Sequence, residues 1–419
     1  MSAKPTISDR IAARNPQKAL ARALVLRGEG QYPRAFKLFI AAAQAGITEA
    51  EREAGFCYLN GIGVPHNADE AGRWFLRAAN KDDAQARRHM ALLSLSGLQA
   101  AKLGSGVTSL FNQRTENAAA DYPAALAWVL PAAQAGDMDA QVLTGFLYAS
   151  APPPLSDDTK ARYWYGQAAD GGSPYGHLGL GVLELPLAKG DDETFAAVDH
   201  LHRAAEADLP AAHYYLGVIY EKAIGRGADL PRAAQHYSHA AKGGIRDAQG
   251  RYGFMLLRGI GVKANKVEGE TWLRRAGMAG DPYAAAIVGN IYAQSGGDLP
   301  PNYAEAANWF RLAAEAGHRE AARTLGMLYN TGLGVPQNPD EAAIWFRRAA
   351  EAGDNVAQAD LAGLMLSKRT SPTLTEPAPV HEWFEQTAES GDPIAAFNYA
   401  VCLAQGVGIE RDDARALEW

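Results

Sequence analysis

Cysteine is almost absent: Cys57 and Cys402 are the only two in 419 residues, near opposite ends. That excludes a disulfide framework and any CxxC metal pattern, and two buried, reduced thiols are expected. No run of about 18 apolar residues occurs, so no membrane-spanning helix is expected. The opening segment MSAKPTISDRIAARNPQ is polar and lacks the apolar centre of a secretory signal. A cytoplasmic location follows if the chain starts at its native Met, and a periplasmic one if a signal has been removed. Blocks of Lys and Arg are missing too, and the net charge is −7. That balance argues against nucleic acid or an anionic membrane as the main partner. There is no Walker loop, no GxSxG, no HExxH and no kinase motif set. A non-catalytic chain that needs no cofactor is expected.

What is present is a period. Hydrophobic residues at 47% and charged residues at 21% suit a folded chain. A helix-ending residue recurs at Gly46, Asp82, Gly136, Gly172, Asp208, Gly244, Gly280, Gly317, Gly353 and Gly391, with spacings of 36, 54, 36, 36, 36, 36, 37, 36 and 38. Periods of this size mean stacked helical hairpins, and glycine suits a slot that needs positive φ after a helix. Nine residues past each terminator stands a small residue, from Gly55 through Gly145, Gly253 and Gly326 to Ala400. Helical glycine lowers stability relative to alanine, so close helix approach is expected there. Eight residues before a terminator lies a column that holds all eight tryptophans: Trp74, Trp128, Trp164, Trp272, Trp309, Trp345, Trp383 and Trp419. Locked to the period, they are expected to be core spacers. Fifteen before it stand N-cap residue types: Asn67, Asp121, Asp157, Asp229, Asn265, Asn302, Asn338 and Asp412. Glu70, Glu268, Glu305 and Glu341, three residues later, would complete capping boxes.

Gly-x-x-Tyr, then Gly-x-Gly-Val, then Glu-Ala-x-x-Trp-Phe-x-x-Ala-Ala-x-x-Gly is clearest at Gly326–Tyr329 with Gly332, Gly334, Val335, Trp345 and Phe346. This pattern resembles the Sel-1-like repeat, a 36-residue relative of the tetratricopeptide repeat. The resemblance covers about residues 30 to 419. It implies an all-α fold, a right-handed α-solenoid superhelix of about eleven helical hairpins. Members of the family are mostly adaptors in signalling, assembly, or envelope and exopolysaccharide systems. Residues 1–29 read as a lead-in and first helix, and residues 30–419 as the array. The array carries an insertion at 96–121, and its last repeat is cut at 419. Continuation in a longer protein is therefore expected, and a downstream domain with an enzymatic activity stays open.

The tetratricopeptide relatives line their concave face with the first helix of each hairpin. By that resemblance the inward positions are three, six, ten and thirteen residues past each terminator: Phe146, Tyr175, Leu178, Val182, Tyr214, Val218, Phe254 and Tyr283. Two readings stand side by side. The row is a groove for an amphipathic helix or extended peptide, or it is buried against neighbouring repeats. Leu110 and Phe111, inside the insertion, are either contacts for a partner or part of a tolerated loop. One column earlier, Gln141, His177, His213 and Gln249 form a polar ladder that is either solvated or turned to a peptide backbone or a glycan. His200, His202, His213, His236 and His239 concentrate in two repeats. The i,i+3 pair His236–His239 has a metal-compatible spacing, but no cysteine completes a site and no metal is expected. The leading expectation is an adaptor binding a protein or peptide. Polysaccharide is the alternative partner.

Overall fold

A computed structural model describes residues 6–96, 120–225, 227–294, 300–366 and 380–419. Among them the regular structure is helical: helices of mostly 10–16 residues, one short 3₁₀ turn at Leu185–Leu187, and no strand. The chain divides into two compact units, Met1–Ala228 and Asp229–Trp419. Each is a stack of helical hairpins, as in Thr48–Asn60 with Ala68–Ala79, or Arg319–Thr331 with Pro339–Glu351. Residues 97–119 of the insertion, with Leu110 and Phe111, lie outside the described residues.

All ten terminators have positive φ, from Asp208 at 55° to Gly391 at 97°. They reverse the chain after each second helix. The next amide then closes back on the helix end, as Asp137 N–H donates to the Ala132 carbonyl at 3.1 Å. The eight cap residues all accept from the helix they start, for example Asn338 from the amides of Asp340 and Glu341 and Asp412 from Arg415.

The capping boxes do not form. The backbone amide each would need is already taken: Asn67 donates to the Tyr58 carbonyl, Asn265 to Leu256, Asn302 to Tyr292 and Asn338 to Tyr329, all at 2.8–2.9 Å. This bond ties the start of the second helix to the end of the first, and the glutamates find other partners, Glu268 accepting from the Asn265 side-chain Nδ2 at 3.0 Å. Glu305 accepts from Trp309 Nε1 at 3.0 Å, and Glu70 pairs with Arg73.

The core column is displaced by one residue from the tryptophans. Trp309 and Trp345 are buried, but Trp74, Trp128, Trp164, Trp272 and Trp383 are half-buried and Trp419 is exposed. The residue after each position in that column fills the hairpin: Phe39, Phe75, Val129, Tyr165, Leu201, Tyr237, Leu273, Phe310, Phe346 and Phe384, none more than 2% exposed. These side chains explain the glycine column. A Cβ on Gly55 would stand 2.8 Å from the Phe75 ring, on Gly145 2.7 Å from Tyr165, on Gly181 2.6 Å from Leu201, and on Gly326 2.7 Å from Phe346. The tryptophans pack one hairpin back, as Trp74 does on the cluster Ala19–Cys57. A guanidinium covers several outer faces: Arg77 over Trp74 at 4.7 Å, Arg275 over Trp272 at 5.0 Å and Arg348 over Trp345 at 5.4 Å.

His89 lies flat on Phe75, centroids 4.5 Å apart. Burial, and then Arg88 and Arg52 nearby, push its pKa down from 6.5 to about 4. A folded value below the unfolded one leaves stability intact above pH 6.5, and removes it as pH falls and the unfolded chain takes the proton first. A loss of about 3 kcal/mol is expected between pH 6.5 and 4 in this region. Hydrogen exchange across Ala68–Ser96 at both pH values checks it, with His89→Phe expected to flatten the dependence.

Candidate functional site

The polar ladder is turned to the protein's own groups: Gln141 and His213 are buried, and His177 and Gln249 are half-buried. Gln141 is buried and donates through Nε2 to the Ala133 carbonyl at 3.3 Å, and Gln249 donates to Ala241 at 3.2 Å. His177 Nδ1 meets His200 Nδ1 at 2.9 Å, and His213 is buried 3.3 Å from Asp208. Gln141 and Gln249 thus satisfy carbonyls near the ends of second helices and His213 a carboxylate just past one, while His177 pairs with another histidine. His202 faces the Tyr220 hydroxyl at 3.3 Å. His200, His202 and His213 belong to unit Met1–Ala228, His236 and His239 to the other. The His177–His200 pair offers two nitrogens, and among the described residues of its unit no third ligand joins it. The thiols are structural: both are buried, with Cys57 pushed up to about 12 and Cys402 to about 11 by desolvation.

The eight inward positions divide between the units. In Met1–Ala228 they pack among their own repeats. Leu178 is 1% exposed. Phe146 and Tyr175 lean on the cluster of Val142, Tyr148, Tyr165 and Leu180. Tyr214 meets Tyr215 edge to face at 5.5 Å. Val182 and Val218 are half-buried.

In Asp229–Trp419 the row opens. Phe254, on Arg246–Arg258, and Tyr283, on Pro282–Ala293, line one groove of about 500 Å³ with Arg251, Ile287 and Asp281. Gly250 leaves its floor clear: a Cβ there would stand 2.4 Å from Asp281 Oδ2. Asp281 also caps the second wall, accepting from the Tyr283 and Ala284 amides at 3.0 Å. The Arg251 and Arg258 guanidiniums lie over the Phe254 ring at 5.5 and 5.9 Å. Tyr283 is 72% exposed yet held in place, edge-on to the His318 ring at 5.1 Å. His318 is itself fixed, because its Nδ1 accepts from the Ala321 amide at 3.2 Å. Burial holds its pKa below the ordinary histidine value.

Three further exposed side chains continue the row and were missed by sequence reasoning: Met327, Val356 and Phe397, the last 68% exposed. They stand ten, three and six residues past Gly317, Gly353 and Gly391. At 100° per residue these offsets fall within about 60° of one another on the helix circumference. The signal was therefore present in the later repeats, in the same columns that gave Phe254 and Tyr283. Five successive first helices each bring one large apolar side chain to this face. Scattered exposed apolar residues need no explanation, whereas their recurrence on one face of five successive first helices does.

A family model described as the Sel1 repeat matches residues 17–47, 48–83, 111–137, 139–173, 210–245, 246–281, 282–318, 319–354 and 393–419. An uncharacterised protein of Neisseria meningitidis serogroup B is 31% identical over 207 residues, 49% of this chain and 41% of that protein. A chitin synthase regulator of Saccharomyces cerevisiae is 27% identical over 57% of this chain and 39% of its own length. Chitin synthase regulatory factor 3 of Schizosaccharomyces pombe is 27% identical over 52% and 26%. The chain thus spans about two fifths or less of the length of these relatives. Among solved structures, a protective antigen of uropathogenic Escherichia coli displaying an SLR fold superposes with a TM-score of 0.56 at 26% identity, over 92% of this chain and 78% of that one. A Sel1 repeat protein from Oxalobacter formigenes gives 0.53 at 28% identity, over 78% and 90%.

Proposed function

The chain belongs to the Sel1 repeat family, and from that premise we propose that it is a non-catalytic adaptor that grips a protein partner along the first-helix row of residues 229–419. The observation that carries this reading is the row itself: Phe254, Tyr283, Met327, Val356 and Phe397, exposed or half-exposed on successive hairpins and joined at one end by a groove. Aromatic and Met side chains of this kind are what binding hot spots are made from. An amphipathic helix or extended segment laid along the row would meet one anchor per hairpin. The inward residues of the other unit stay with the packing of their own repeats.

Two fungal relatives carry names of chitin synthase regulation, that is, of action on an enzyme. This supports a partner that is itself a protein over direct recognition of a glycan. The ladder supports the same preference, since Gln141 and Gln249 donate to backbone carbonyls.

Tyr283→Glu with Phe397→Glu is the test. Both side chains are exposed, so the unfolding midpoint is expected to stay within about 2 °C. Recovery of partner protein from lysate on the immobilised chain is expected to fall at least about tenfold, as loss of two anchors implies. Unchanged recovery would sink the proposal, and a collapse in melting temperature would return the row to the core.

A further inference from the structure

The first described helix, Ile7–Ala12, has two faces. Asp9 and Ala12 are buried. The Asp9 Oδ2 accepts from Arg34 at 2.6 Å and from the Thr6 amide at 2.9 Å, and its Oδ1 lies 3.6 Å from the Arg22 Nε at ion-pair distance. Burial pushes the Asp9 carboxyl up, but the bonds from Thr6 and Arg34 prevail and hold it below the ordinary value. It is an internal anchor and contributes no negative charge to the surface.

The opposite face holds Ile7, 78% exposed, Ile11, 61% exposed, and Arg10 between them. At 100° per residue these three lie within an arc of about 100°, centred away from Asp9 and Ala12. Arg14 and Lys18 follow at once, both exposed. Among the described residues, Arg10, Arg14 and Lys18 have no carboxylate at ion-pair distance, whereas their neighbours Arg22 and Arg27 are paired with Asp9 and Glu53. Arg10, Arg14 and Lys18 thus leave a patch of three cations, unpaired among the described residues, in a chain whose net charge is −7. The global charge, which argued against an anionic surface, thus hides a local reversal of sign.

We infer that this end of the chain docks peripherally on an anionic lipid surface. Ile7 and Ile11 enter the acyl boundary, and Arg10, Arg14 and Lys18 meet the headgroups. Two features favour lipid over an acidic protein. The isoleucines protrude from a short helix instead of lining a groove, so a protein would have to supply a matching pocket while a fluid acyl phase adapts to them. And the cations flank the apolar pair on the outward side, the arrangement that lets apolar and cationic groups reach an interface together. The contact is interfacial, and independent of the partner row in residues 229–419.

Co-sedimentation of the full chain with vesicles tests it, using pure phosphatidylcholine against phosphatidylcholine with 30 mol% phosphatidylglycerol, in low and high salt. The expected result is at least tenfold more bound protein on the anionic vesicles in low salt, reversed by high salt. Arg10→Glu with Arg14→Glu, and separately Ile7→Ser with Ile11→Ser, are each expected to reduce binding at least tenfold, with unchanged helical circular dichroism and partner recovery. Absence of binding to anionic vesicles overturns the inference. So does binding that neither variant weakens. Capture of a soluble acidic helical peptide by the wild type, with no vesicle binding, would assign the patch to a protein instead.

Discussion

Gly261→Ala is expected to cost about 3 kcal/mol in the unit Asp229–Trp419, with the damage centred on Leu230–Arg258. Gly261 has φ of 66°, and a Cβ there would stand 2.2 Å from the Leu230 carbonyl oxygen and 2.9 Å from the Pro231 nitrogen. Those atoms are backbone at the start of the preceding second helix, and no side chain can swing aside. Gly63 stands in the same relation to Tyr32, and Gly334 to Tyr303, at 2.4 and 2.2 Å. The second glycine of each loop is where one hairpin rests on the previous one. Gly244 supplies the control. Its φ is 88°, but nothing lies within 4 Å of its Cβ position, so Gly244→Ala should cost only the conformational strain, about 1 kcal/mol. Stability in a repeat array is local, so hydrogen exchange by segment reads both effects. Equal losses at Gly244 and Gly261 would show that the collision is relieved by movement and that hairpin seating is softer than the geometry implies.

Phe75→Ala should cost about 3–5 kcal/mol, while Trp74→Ala, a larger deletion, should cost about 1–2. Phe75 is fully buried between the Gly55 backbone on one side and His89 on the other. Removing it opens a void that Gly55, lacking a side chain, cannot fill. Trp74 is half-buried, and Arg77 covers its outer face; water and the arginine can take its place. Urea titration followed by exchange across Thr48–Ala79 separates the two. The reverse order would restore the tryptophans as the core.

That reversal of roles shows where sequence reading reaches its limit. The period was legible because a chain reversal after a helix demands positive φ, and Gly46 or Gly391 announces that demand; even Asp82 and Asp208 obey it. Cap residues were legible for the same local reason. What depends on two segments at once was not. Which of Trp74 and Phe75 faces inward is set by the glycine of the other helix. The capping boxes failed because the amide of Asn338 had a prior partner, the Tyr329 carbonyl. The polar ladder looked available because Ala133 and Ala241, whose carbonyls consume Gln141 and Gln249, carry no sign of it in sequence. The inward row was half legible: Phe254 and Tyr283 share a groove, while Leu178 is core and Met327, Val356 and Phe397 were passed over.

A photo-crosslinking residue placed in turn at Tyr283, at Phe397 and at Tyr163 tests the central claim most directly. Tyr163 is exposed too, but on the second helix Asp158–Asp170. Irradiation in lysate, followed by mass spectrometry, is predicted to join the same protein to positions 283 and 397 and to leave 163 without it. Adducts confined to 163, or different proteins at 283 and 397, would contradict a single partner lying along the first-helix row.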